Sequence, residues 1–154
     1  MEIYAEGNYL YLCSEVFKGG DISNMKEAMD EDTASKIINK VLRALQHCHS
    51  QGILHKNIKP KNLMYGVSNE IKLVDFGFAI SIVKDVHGDH KHAPNEDNHK
   101  ENKKKDPNCD IYEAPEGKIG DKCDIWSLGV TLYFMLTGQI PPFGEDDESS
   151  SSDS

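Results

Sequence analysis

The side chains best equipped for chemistry lie in two short stretches. The first is His55-Lys56-Asn57-Ile58-Lys59-Pro60-Lys61-Asn62, which is polar and kept out of a helix interior by Pro60. The second is Asp75-Phe76-Gly77, whose aspartate lies thirteen residues beyond Asn62 at the end of a run of strand formers. Together they place imidazole, ammonium, amide and carboxylate groups in two short polar stretches. His87, His90, His92 and His99 suggest a different chemistry, since imidazole is a common zinc ligand. No cysteine pair accompanies them and no periodic apolar residues frame them, so a solvated low-complexity insertion is the preferred reading. The serines at 149–152 stand among acids and read as sites for an acidophilic kinase, not as catalytic groups.

These stretches need a frame. Residues 8–17 are rich in strand formers, with Gly7 before them and Gly19-Gly20 after, and predict one strand. Over residues 33–49 the apolar positions Ala34, Ile37, Ile38, Val41, Leu42, Leu45 and Cys48 fall at the three-four spacing of an amphipathic helix. Asp32 is placed to cap its start, and Gly52 lies just past its end. Residues 62–65 and 71–74 predict a hairpin across the turn-like 66–70. Residues 125–136 are apolar nearly all round, with Trp126, Leu128, Val130, Leu132, Phe134 and Met135, and predict a central buried helix. Residues 84–110 have Pro94, Pro107 and no periodic apolar face, which predicts a disordered insertion. The acidic serine-rich tail, 145–154, is expected to be disordered as well.

The chain of 154 residues is long enough for one domain, with 38% hydrophobic and 28% charged residues. A net charge of -9 argues against a nucleic-acid partner, and Glu145, Asp146, Asp147, Glu148 and Asp153 place much of it in the tail. Cys13, Cys48, Cys109 and Cys123 show no CxxC spacing, and no apolar leader follows Met1, so a reducing, cytoplasmic location is expected. No apolar run approaches the roughly 18–20 residues that cross a bilayer, so no membrane partner is expected.

Five segments, in order, resemble the protein kinase superfamily. Residues 55–62 resemble the catalytic-loop motif HRDxKxxN with two substitutions, and Asp75-Phe76-Gly77 is an intact DFG. Ala114-Pro115-Glu116 matches APE, and Asp124-Ile125-Trp126-Ser127-Leu128-Gly129 matches the DxWxxG start of the long central helix. Glu15-Val16-Phe17 followed by Gly19-Gly20-Asp21 resembles the hinge between the lobes. Lys59, the run from Lys122 to Val130, and Pro141-Pro142-Phe143-Gly144 are similar to the serine/threonine branch, in particular to calcium/calmodulin-dependent and calcium-dependent kinases. No EF-hand pattern DxDxDG occurs within the chain.

The resemblance implies an α+β, protein kinase-like fold over residues 1–144, incomplete, with a hinge and a mainly helical C-lobe. It implies ATP and Mg2+ as cofactors and a protein as substrate or partner. Asn62 and Asp75 would bind the metal, and Lys59 would neutralise charge on the transferred phosphoryl group. Backbone groups of Glu15 and Phe17 would pair with adenine, Asp21 would hold the ribose, and Met64 would floor the base. Ser14 would stand at the back of the nucleotide pocket. His55 and Asp124 would order the catalytic loop through hydrogen bonds.

The chain departs from the family pattern at Asn57, where the family has the carboxylate that accepts or orients the substrate proton. An amide can orient but cannot take a proton, and losing general-base help costs about 10²- to 10⁴-fold in rate, roughly 3–5 kcal/mol. Lys56 replaces an arginine and lacks its bidentate fork. Asn108-Cys109 removes a hydroxyl before the APE segment, and Lys61 stands where an acidic residue greets basic substrates. No GxGxxG loop, VAIK lysine or partner glutamate precedes the hinge, so the N-lobe is expected to be nearly absent. With the helices that follow the central one in the family also lacking, Glu116 is expected to lack its arginine partner and the central helix to be partly uncovered. The chain is therefore expected to be a severely impaired kinase, with a pseudokinase scaffold or an excerpt of a longer active kinase as alternatives.

Overall fold

The computed structural model describes residues 2–84, 90–92, 110–115 and 122–142. The chain opens with β1 (Glu2–Glu6) and β2 (Tyr9–Cys13), paired antiparallel from Glu2↔Cys13 to Glu6↔Tyr9. The sequence predicts a single strand here. Two form because Gly7, at φ +59°, supplies the positive φ that a two-residue hairpin turn needs at its first central position. Every residue of the hairpin is exposed, including Ile3, Tyr4, Leu10 and Leu12.

Helix α1 (Glu31–Ser50) contains the expected span, but its cap is Asp30, not Asp32. The Asp30 carboxylate accepts the Thr33 N–H at 2.9 Å and the Thr33 hydroxyl at 2.7 Å, satisfying an otherwise orphan donor. Asp32 already lies within the first turn and pairs with Lys36 one turn on. Ala34, Ile37, Val41 and Leu45 form the buried stripe, whereas Leu42 is exposed. The helix ends at Gln51, and Gly52 turns the chain at φ +70°, with its carbonyl accepting from Ile82 N–H at 2.7 Å.

Strand β3 (Ile53–Leu54) follows at once, then the expected hairpin of β4 (Leu63–Tyr65) and β5 (Ile71–Leu73), with Leu63↔Leu73 and Tyr65↔Ile71 in register. Strand β6 (Ile80–Lys84) pairs with β3 and with β7 (His90–His92). Strand β7 thus falls inside the stretch expected to be without structure. Strand pairing is a backbone interaction and needs no apolar side chains, so the composition of 84–110 does not reveal it.

Helix α2 (Cys123–Thr137) contains the expected 125–136 helix and closes at Gly138, at φ +70°, whose N–H reaches Phe134 O at 2.8 Å. One core joins Ile22, Ala34, Ile37, Val41 and Leu45 to Ile58, Leu63, Leu128 and Met135, locking α1 against α2 beneath β4. Burying a side chain such as Leu45 stabilises the fold by about 1.5–3 kcal/mol. A second cluster, Leu54, Ile80, Ile82, Ala114 and Cys123, fastens β3 and β6 to the start of α2. The buried face of α2 carries Asp124, Ser127 and Thr131 beside Leu128 and Met135. Ile125, Trp126, Tyr133 and Leu136 lie on exposed positions, so the helix is buried along one face and not all round as its composition predicts. No helix among the described residues is long and apolar enough to cross a bilayer.

Candidate active site

The site begins with Asp124, which is 0% exposed in the first turn of α2. A carboxylate there faces the positive end of the helix dipole, and three donors converge on it. The backbone N–H groups of His55 (2.9 Å) and Lys56 (2.7 Å) donate to Oδ2 and Oδ1, and His49 Nε2 lies 2.8 Å from Oδ2. These bonds hold the loop that follows β3 against the core. They also offset the cost of Lys56, which sits in the left-handed region at φ +62°, where side chains crowd the backbone.

His55, itself fully buried, passes the order on. Its Nδ1 accepts from Asn57 N–H at 3.2 Å, so Nε2 carries the proton and donates to Val74 O at 3.1 Å. Burial holds its pKa below the ordinary histidine value, against the opposing pull of Asp124, the Val74 bond and Asp75. The Phe76 ring packs edge-on against His55 with centroids 4.5 Å apart. His55 and Asp124 thus order the loop, as the motif implies.

Three of the polar residues singled out in the sequence, Asn57, Asn62 and Asp75, converge at one end of the β4–β5 hairpin. Val74 N–H donates to Asn62 O at 3.0 Å, continuing the β4–β5 pairing and placing Asn62 across from the residue before Asp75. Asn62 Nδ2 donates to Asn57 O at 2.7 Å, and Asn57 Nδ2 donates to Asp75 Oδ2 at 2.7 Å. Asn57 and Asn62 are 8% and 6% exposed, whereas Asp75 is open to solvent at φ +65°. A carboxylate only accepts, so the Asn57 amide must turn its nitrogen to Asp75. Lys59, half-buried, stands at the start of the short 60–62 turn.

Against known proteins, the protein kinase domain family matches residues 1–154. The chain belongs to the protein kinase family. It is 34% identical to calcium-dependent protein kinase 5 of Plasmodium berghei, with 92% of this chain and 24% of that protein covered. It is 32% identical to calcium-dependent protein kinase 4 of the same organism, covering 96% of this chain and 27% of that protein. Sperm motility kinase 2B of Mus musculus is 32% identical, with 86% and 26% covered. The chain spans about a quarter of the length of the curated relatives it matches. Its described elements are α+β, in keeping with the kinase-like fold that the motifs imply.

Along the same hairpin of this kinase chain lie three of the four nucleotide candidates. Asp21 bridges to Met64, flanked by Gly19 N–H to Tyr65 O (3.3 Å) and Tyr65 N–H to Gly20 O (2.9 Å). Gly19 is needed for this approach, because a Cβ there would lie 2.4 Å from Tyr65 Cβ. Glu15 reaches Lys72, the cross-strand partner of Met64, at 3.4 Å. Phe17 is half-buried nearby in sequence, with no side-chain contact among those described that ties it to the hairpin. The Asp21 carboxylate is occupied as a local cap, accepting from Ser23 N–H (2.9 Å), the Ser23 hydroxyl and Asn24 Nδ2 (2.8 Å). Ser14 is exposed, so no buried hydroxyl needs a partner there.

The donor set fits one divalent cation. Asn62 uses its nitrogen toward Asn57, which leaves Oδ1 for a metal, and Asp75 Oδ1 has only the long 3.4 Å contact from Gly77 N–H. No group of three His, Cys, Asp or Glu side chains clusters among the described residues. Glu116, Asn108, Cys109, His87, His99 and residues 143–154 lie outside the described residues, and of His90 and His92 only the backbone pairing is described. The sequence reading missed His49 and Lys72. His49 had a signal, since it continues the buried stripe four residues past Leu45. Lys72 had none, because its ion pair joins two separate segments.

Proposed function

We propose that this chain is a serine/threonine kinase-like domain that binds Mg2+ and ATP and transfers the γ-phosphoryl group slowly. The observation that carries this reading is the Asn57 amide bound through its nitrogen to Asp75 Oδ2 at 2.7 Å. Its remaining oxygen can accept a hydrogen bond from a substrate hydroxyl and orient it, but it cannot take the proton. Asp75 and Asn62 would hold Mg2+, which supplies charge neutralisation along the phosphates. Lys59 would meet charge on the transferred group, and backbone groups of Glu15 and Phe17 with Asp21 and Met64 would seat the nucleoside. The substrate is a protein, and the exposed Lys61 disfavours basic peptides. The free cysteines Cys13, Cys48 and Cys123 fit a reducing, cytoplasmic setting.

The test is incorporation of labelled γ-phosphate into a serine/threonine peptide mixture by the chain and by Asp75→Ala. The expected result is turnover about 10²- to 10⁴-fold below the usual kinase range of roughly 1–100 per second, and lost in Asp75→Ala. Turnover within the usual range would overturn the reading. A second reading, a docking module without transfer, is favoured by the open groove of about 430 Å3 where Leu42 and Leu45 of α1 meet Ile125 of α2. It predicts no transfer by Asn57→Asp either.

A further inference from the structure

The catalytic loop is tied to the segment after β5 by three hydrogen bonds. His55 to Val74 (3.1 Å) and Val74 to Asn62 (3.0 Å) end on the Val74 backbone. Asn57 to Asp75 (2.7 Å) reaches a side chain at a left-handed residue that other side chains tolerate poorly. Among the described residues no Lys, Arg or His pairs with Asp75, and its other contact, from Gly77 N–H at 3.4 Å, is at the weak limit. Asn57 needs the bond as much as Asp75 does, because a buried amide donor without an acceptor costs free energy. A carboxylate at position 57 would place two acceptors face to face at this distance, and only a proton or a cation between them would hold them together.

We propose that Asn57 is a neutral clasp on Asp75, keeping the 55–62 loop and the turn at 75–78 docked with or without a divalent cation. The clasp makes Asn57 a positioning residue whose effect is independent of proton transfer. It rests on the reading of Asp75 as a cation ligand only for the direction of the magnesium effect in the variant below.

Amide hydrogen exchange on the full chain tests it, read at Val74 N–H, bonded to Asn62 O, and Ala79 N–H, bonded to Phe76 O. In the wild type, millimolar Mg2+ should change protection at both by less than about twofold. Asn57→Asp should lose about tenfold or more without Mg2+ and regain most of it with Mg2+. Asn57→Ala should lose protection in both conditions. Val41 and Leu45 amides in α1 report whether each variant is folded, and Asn57→Ser replaces one that is not. A wild-type response to Mg2+ as large as that of Asn57→Asp, or full protection in folded Asn57→Ala, overturns the clasp. Calorimetric titration with Mg2+ and ATP runs alongside. The exchange pattern without nucleotide binding keeps the clasp and overturns the nucleotide reading, and binding with cation-dependent protection does the reverse.

Discussion

Replacing Asp124 by asparagine should loosen the whole loop from beneath. Its two oxygens accept from His55 N–H, Lys56 N–H and His49, all at 2.7–2.9 Å and all without access to water at the aspartate. Asparagine keeps one acceptor oxygen and turns the other into a donor. If the oxygen stays with His55 and His49, the Lys56 N–H faces an NH2 group and goes unsatisfied, at about 1–3 kcal/mol. The two retained bonds lose their charge assistance, a further loss of about 1 kcal/mol between them. The expected destabilisation is roughly 2–4 kcal/mol, or about 5–15 °C in Tm at this chain length. Urea unfolding followed by the fluorescence of Trp126, the single tryptophan, reads it directly. The midpoint should fall with the slope unchanged. A loss below about 0.5 kcal/mol would refute the role of Asp124 as the anchor of the loop.

Three further perturbations probe separate parts of the fold. Burial keeps the His55 pKa below its unfolded value of about 6.5, so the unfolded chain binds the extra proton as pH falls. Stability from this group is complete above about pH 6.5 and declines below it, and urea midpoints between pH 7.5 and about 5 should show a shallower decline in His55→Gln. Leu45→Ala, at the centre of the α1–α2 contact, should cost about 2–5 kcal/mol by the same unfolding assay, and a loss under about 1 kcal/mol would mean the two helices are not packed as described. Gly52→Ala combines φ +70° with a Cβ placed 2.8 Å from Ile82 O, and should cost about 1–3 kcal/mol, visible also as faster amide exchange at Ile82.

The helices were legible because burial writes a period into the chain: Ala34, Ile37, Val41 and Leu45 are both the pattern and the core. The β4–β5 hairpin was legible from its turn, and the catalytic loop from the motif. The cap was misplaced by two residues because Asp30 and Asp32 are equally good candidates until the helix start is known. Strand β7 was missed because backbone pairing needs no apolar pattern in the sequence, and the β1–β2 hairpin because both its faces are exposed and carry no alternation to distinguish two strands from one. At the site, the identities of Asn57, Asn62 and Asp75 were plain in the sequence. That Asn57 donates to Asp75, while the Asp21 carboxylate is taken up by Ser23 and Asn24, is a matter of side-chain direction that spacing does not encode.

The most direct test of the proposed catalytic defect is the single-turnover rate of γ-phosphoryl transfer at saturating Mg2+ and ATP, compared between the chain and Asn57→Asp. Restoring a proton acceptor should raise the rate by about 10²- to 10⁴-fold while nucleotide affinity changes little. Equal rates for the two proteins, both well folded and both binding nucleotide, would contradict the assignment of Asn57 as the cause of slow transfer.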